Sequence, residues 1–87
     1  MAEHVAWDSI CLNGVGLVVL TDGMPEGLAR GYKFETMVFR AYKNGEPNFN
    51  KPFDEYTRRY QTKEEASVGH GEVLLKISGF KPYGEVL

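Results

Sequence analysis

His70 is the sharpest chemical signal in the chain. It falls among Ala66, Val73, Leu74 and Ile77, which recur at helical spacing, and Gly69 and Gly71 flank it. An imidazole on such a face is either an acid–base or ligand group with a tuned proton affinity, or a core-edge residue. In the second role it would hydrogen-bond a strand backbone and fix the register of the helix, and the surroundings favour that role. A metal centre needs three or four converging ligands. His4, Cys11 and His70 show no ligand spacing in any pair. Cys11 has no local support as a nucleophile and reads as a buried structural thiol. The neighbours Asp54 and Glu55 would point apart in a strand, and Glu64 and Glu65 are accounted for by helix capping, so neither pair is set for general acid–base work. Gly14-Val15-Gly16 lacks the third glycine and the following helix of a dinucleotide loop. No catalytic, cofactor or metal site is expected, and the chain reads as non-enzymatic.

A binding surface is easier to assemble. Tyr56, Arg58 and Tyr60 alternate, as do Arg40 and Tyr42. On neighbouring strands they would form an aromatic–basic platform, ordinary for a solvent-facing sheet but also able to meet a partner. The charge distribution supports placing it there. Residues 1–29 carry four acids and no Lys or Arg, residues 30–60 carry seven bases against four acids, and residues 61–87 come to −1. The overall charge of −2 argues against bulk binding to nucleic acid or anionic membrane. The expected contact surface is the exposed sheet face and turn around Arg40, Tyr42, Asn44, Tyr56 and Arg58, and its expected partner is a protein. The alternative is single-stranded nucleic acid stacked on the same residues.

These residues must be held by a frame. Thr62-Lys63-Glu64-Glu65 fits a capping box, with Thr62 accepting from the Glu65 N–H and Glu65 reaching back to the Thr62 N–H. Lys76 suits the last turn, and Gly79 is the expected stop. The spacing predicts a helix over Lys63 to Ser78 with Ala66, His70, Val73, Leu74 and Ile77 on its buried face. Gly69 borders that face and suits a close backbone approach. Gly71 lies away from it without a packing reason. Val68 and Leu75 lie opposite, as ordinary surface or as a self-association contact alongside an open sheet edge.

Before the helix the chain reads as strands. Residues 1–12 alternate weakly. Asn13-Gly14 is a strong hairpin signal, and Val15 to Thr21 follows as an apolar run suited to a central strand. Asp22 to Gly27 breaks it, and Pro25 to Gly31 holds at most a short turn. Tyr32 to Tyr42 is the clearest strand. Met37, Phe39 and Ala41 are expected to face the helix, with Val38 and Tyr42 on the second face. Asn44-Gly45 is a second turn, Pro47 to Pro52 an irregular arm tucked down by Phe49 and Phe53, and Asp54 to Gln61 a last strand. Phe80 to Leu87 is a tail.

At 87 residues the chain is one domain, 1–87, and its 43% hydrophobic and 13% aromatic content is globular. A single cysteine excludes an internal disulfide and fits a reducing cytosol. No apolar run approaches the roughly 18 residues of a membrane span. The reading is α+β: a small, mainly antiparallel sheet of three to four strands with one C-terminal helix packed on one face.

Two segments carry a resemblance. Glu35-Thr36-Met37-Val38-Phe39, then Arg59-Tyr60-Gln61-Thr62-Lys63-Glu64-Glu65-Ala66 leading to Gly69-His70, resemble small uncharacterised proteins encoded by tailed bacteriophages and prophages. The match covers roughly residues 32–77. It implies a phage or prophage accessory protein in the bacterial host cytoplasm, binding a host or phage protein, with inhibition of a host defence system as one version. It brings no catalytic residues to carry over.

Overall fold

The computed structural model describes residues 4–25 and 31–78. The expected stop at Gly79, the tail from Phe80 and most of the Pro25–Gly31 segment lie outside the described residues. Five strands and one helix follow in order: β1 (His4–Leu12), β2 (Val15–Gly23), β3 (Phe34–Ala41), β4 (Pro47–Pro52), β5 (Arg58–Tyr60) and α1 (Lys63–Ser78). The sheet runs β1-β2-β3-β4, with β5 also on β3, and every pairing is antiparallel. The α+β architecture expected from the sequence is the one found.

Local chemistry explains each turn. Asn13 and Gly14 both hold positive φ, 53° and 80°, the type I′ geometry that matches strand twist and closes the β1–β2 hairpin. The β3–β4 turn is different. Only Gly45 is left-handed there, and the Gly45 N–H donates to the Tyr42 carbonyl at 2.9 Å, giving a three-residue loop with glycine at the bulge position.

Two expectations about the second half need correcting. Pro47 to Pro52 is not an irregular arm but an edge strand, with its prolines at the two ends, where no ladder bond is lost. Asp54 to Gln61 is not one strand: Asp54–Tyr56 form a 3-10 turn, and only Arg58–Tyr60 pair. The cause is shared space. β4 pairs with Phe39, Arg40 and Ala41, while β5 pairs with Phe34, Glu35 and Thr36, so both use the same edge of β3. The 3-10 turn is the step between the two halves of that edge.

The helix forms as its capping residues dictate. The Glu65 N–H donates to Thr62 Oγ1 and the Thr62 N–H donates to Glu65 Oε1, each at 3.1 Å. Ala66, Gly69, His70, Val73 and Ile77 are buried, while Val68 and Leu75 are exposed. Among the described residues no helix is long and apolar enough to cross a membrane.

The helix covers the opposite face of β3 from the one expected. Val73 and Ile77 pack with Leu17, Val19 and Val38, and Phe53 and Tyr56 join them. Met37, Phe39 and Ala41 instead pack with Val18 and Leu20 on the face turned away from α1. Both faces of β3 carry large apolar residues, so hydrophobicity cannot set its orientation. Polar partners do: Thr21 and Thr36 lie on the same side as Leu17, Val19 and Val38, and they are what His70 requires.

Candidate functional site

A chain of side-chain hydrogen bonds runs through the interior beneath α1. Asp8 on β1 meets His70 Nε2 at 2.7 Å, and His70 Nδ1 meets Thr21 Oγ1 at 2.6 Å. Thr21 meets Thr36 at 2.5 Å, and Thr36 meets the Tyr60 hydroxyl at 3.0 Å. The five residues come from β1, β2, β3, β5 and α1, so one polar thread ties the helix to four strands. Among the described residues no buried side-chain nitrogen or oxygen lacks a partner.

Proton positions follow from the donors available. With Asp8 ionised it can only accept, so a neutral His70 donates from Nε2 and accepts at Nδ1. Thr21 must then donate to His70, Thr36 to Thr21, and Tyr60 to Thr36. With His70 neutral, all four bonds point the same way, from the phenol to the carboxylate. The other neutral tautomer would set an imidazole lone pair against the carboxylate and lose the Asp8 bond.

An Asp–His–hydroxyl order is that of a nucleophilic triad. Here the hydroxyls are sealed: Thr21 and Thr36 are 0% exposed and His70 is 4% exposed. No acyl carbon can approach Thr21 Oγ1 while α1 is in place. Asp8 alone reaches water, its side chain half exposed at the edge strand. The arrangement holds the helix in register and leaves no attacking group free.

His70 therefore has the core-edge role expected of it, with the partners corrected from strand backbone to two side chains. Sequence reasoning missed Asp8 and Thr21 as its partners, and Thr36 and Tyr60 as the continuation of the chain. Asp8 and His70 are 62 residues apart, and Thr21 and His70 are 49 apart, so no local spacing marks them. Two threonines in otherwise apolar strand runs were the one available signal.

Gly69 shows why the helix can come so close. A Cβ built at Gly69 would overlap the Tyr60 ring, whereas one at Gly71 would meet nothing. Cys11 is exposed rather than buried, because it lies on the edge strand opposite Gly16 and faces away from α1. Glu64 and Glu65 sit in the first turn of the helix, and Asp54 and Glu55 in the 3-10 turn.

The residues expected to form one contact surface are divided among three places. Arg40 and Tyr42 are exposed and line a depression with Ser9, Cys11 and Lys43 at the turn end of the sheet. Asn44 lies in that turn, where its Oδ1 accepts from the Glu46 N–H at 3.0 Å. Arg58 donates to Glu72 on the helix at 2.8 Å and lies over the Tyr60 ring at 5.7 Å. Tyr56 is half-buried in the core under α1, and Tyr60 is fully inside. Burial, and secondarily the Glu55 carboxylate, hold the Tyr56 hydroxyl above its ordinary pKa. Tyr56 and Tyr60 are thus turned under the helix, Tyr42 stays exposed at the turn end, and the arginines of the expected platform lie at opposite ends.

No known protein family, curated protein or solved structure matches the chain. Function must be argued from its own surfaces.

The face turned away from α1 supplies the clearest one. Its cluster of Val18, Leu20 and Phe39 is bordered by Trp7, 47% exposed, and by Phe49, 66% exposed. Phe49 stands edge-on to Phe39, with ring centroids 5.0 Å apart. Leu20, Met37, Phe39 and Phe49 line a cleft of about 290 Å³, with Asp22 and Glu35 beside them. Glu35 already accepts from Arg59, and Asp22 lies 2.8 Å from His4.

Proposed function

We propose that this chain is a small non-enzymatic accessory protein, of phage or prophage type, that binds a host or phage protein in the bacterial cytoplasm. The observation that carries the reading is the exposed Phe49 ring beside the apolar cleft on the face opposite the helix. An aromatic ring two-thirds in water adds little to a fold and much to an interface, where aromatic anchors dominate binding energy. The cleft is large enough for one or two apolar side chains, and carboxylates border it. The fitting partner is a protein segment that presents a large apolar side chain to the cleft. The resemblance of residues 32–77 to phage-encoded proteins supplies the setting, and occupation of a host defence protein is one concrete form of it.

The test is to capture a partner from host lysate, purify it, and titrate it calorimetrically against variants. Loss of binding in Phe49→Ser, with binding kept in Arg40→Ala, supports the reading. The reverse pattern moves the contact to the turn end of the sheet. An absence of any saturable partner overturns it.

A further inference from the structure

The two edges of the sheet are built differently. The edge formed by β4 and β5 carries Pro47, Lys51 and Pro52 on one strand and Arg58 and Arg59 on a strand of three residues. Prolines, cations and shortness are how natural sheets block further pairing. β1 has none of these. It is nine residues long, contains no proline, lysine or arginine, and its register with β2 is regular from Ala6 to Leu12. Among the described residues nothing pairs with its outer side.

The hairpin decides which amides face outward. The two-residue turn at Asn13-Gly14 makes Leu12 and Val15 a hydrogen-bonded pair, so the even residues of β1 bond to β2. Trp7, Ser9 and Cys11 therefore direct their N–H and C=O groups to the open edge.

We propose that two copies of this chain associate through this edge, β1 antiparallel to the partner's β1 about a two-fold axis at Ser9. Antiparallel pairing about an axis normal to the sheet is self-complementary and sets both helices on the same side. Four registers compete, and centring on Ile10 overlaps only residues 8–12 of each regular stretch, where centring on Ser9 overlaps 6–12. Centring on Asp8 opposes two carboxylates in a closely spaced pair, which like charges disfavour. Centring on Trp7 draws in the irregularity between His4 and Ala6. Centring on Ser9 uses only the regular stretch, placing Trp7 opposite the partner's Cys11 and Asp8 opposite the partner's Ile10. The contact uses the strand edge, not the sheet face, so it stands whether or not that face binds a protein.

Sedimentation of the full chain at rising concentration tests the association. The expected result is conversion from monomer to dimer. Ser9→Pro removes an outward amide hydrogen but no bond to β2, so it is expected to remain a folded monomer by circular dichroism. Should that variant fail to fold, Trp7→Lys places a cation on the same edge and is expected to stay monomeric. A strict monomer for the natural chain, or a dimer that survives either folded variant, overturns the proposal. Spin labels on Cys11, the sole cysteine, read the register. The two Cα atoms should lie about 14 Å apart for the Ser9 axis, and about 20 Å apart for an Asp8 axis. The longer distance overturns the assigned pairing.

Discussion

The Tyr60 ring occupies the space that any side chain at Gly69 would need. Tyr60 is held there at its hydroxyl by Thr36, so the ring cannot swing aside without breaking the buried chain. Gly69→Ala should therefore cost about 1–3 kcal/mol through overpacking, against a helix-propensity gain of about 1 kcal/mol. Gly71→Ala meets open space and should gain up to about 1 kcal/mol. Urea denaturation of the pair separates a packing glycine from an idle one. Equal effects would show that the ring yields.

The threonines under the helix should behave as a unit. Thr21→Val removes the hydroxyl that bonds both His70 and Thr36, leaving polar atoms stranded in the core. The expected loss is about 1–3 kcal/mol, with a similar loss for Thr36→Val. The double variant should lose clearly less than the sum, since both substitutions interrupt the same thread. Additive losses in a denaturation cycle would mean that the two bonds are independent.

Much of this frame was legible in the sequence, and the reason is local. The Thr62–Glu65 cap, the Asn13-Gly14 turn and the helical stripe each depend on residues within a few positions of one another. What escaped is non-local. The orientation of β3 depends on Thr36 and Thr21 meeting His70, and apolar residues on both sides of the strand hide that choice. The break after Asp54 depends on two strands competing for one edge, which no window of residues contains. The proposed aromatic–basic platform failed for the same reason: Tyr56 and Tyr60 alternate correctly, but on the side that α1 covers.

Tyr56 gives the protein an alkaline signature. Its pKa is raised by burial and by Glu55, so the folded state holds the phenolic proton more tightly than the unfolded chain. That stabilisation is fully present below the ordinary tyrosine value near 10 and fades as pH rises through the higher folded value. Tyr56→Phe keeps the packing and removes the titration. Its stability should fall less steeply above about pH 10 than that of the natural chain. Parallel denaturation profiles for the two proteins would refute the assignment.

Phe49 offers the sharpest separation of folding from binding. Its ring is 66% exposed, and its main visible contact is the edge-on pairing with Phe39. Phe49→Ser should therefore cost the fold only about 0.5–1.5 kcal/mol, the scale of a single aromatic pair. The same change removes the wall of the cleft and should weaken partner binding at least tenfold, about 1.4 kcal/mol or more. Arg40→Ala, at the other end of the sheet, should leave both quantities nearly unchanged. Thermal melts and calorimetric titrations on the three proteins check this together. A Phe49→Ser protein that binds normally would move the working surface away from the cleft, whatever its melting temperature.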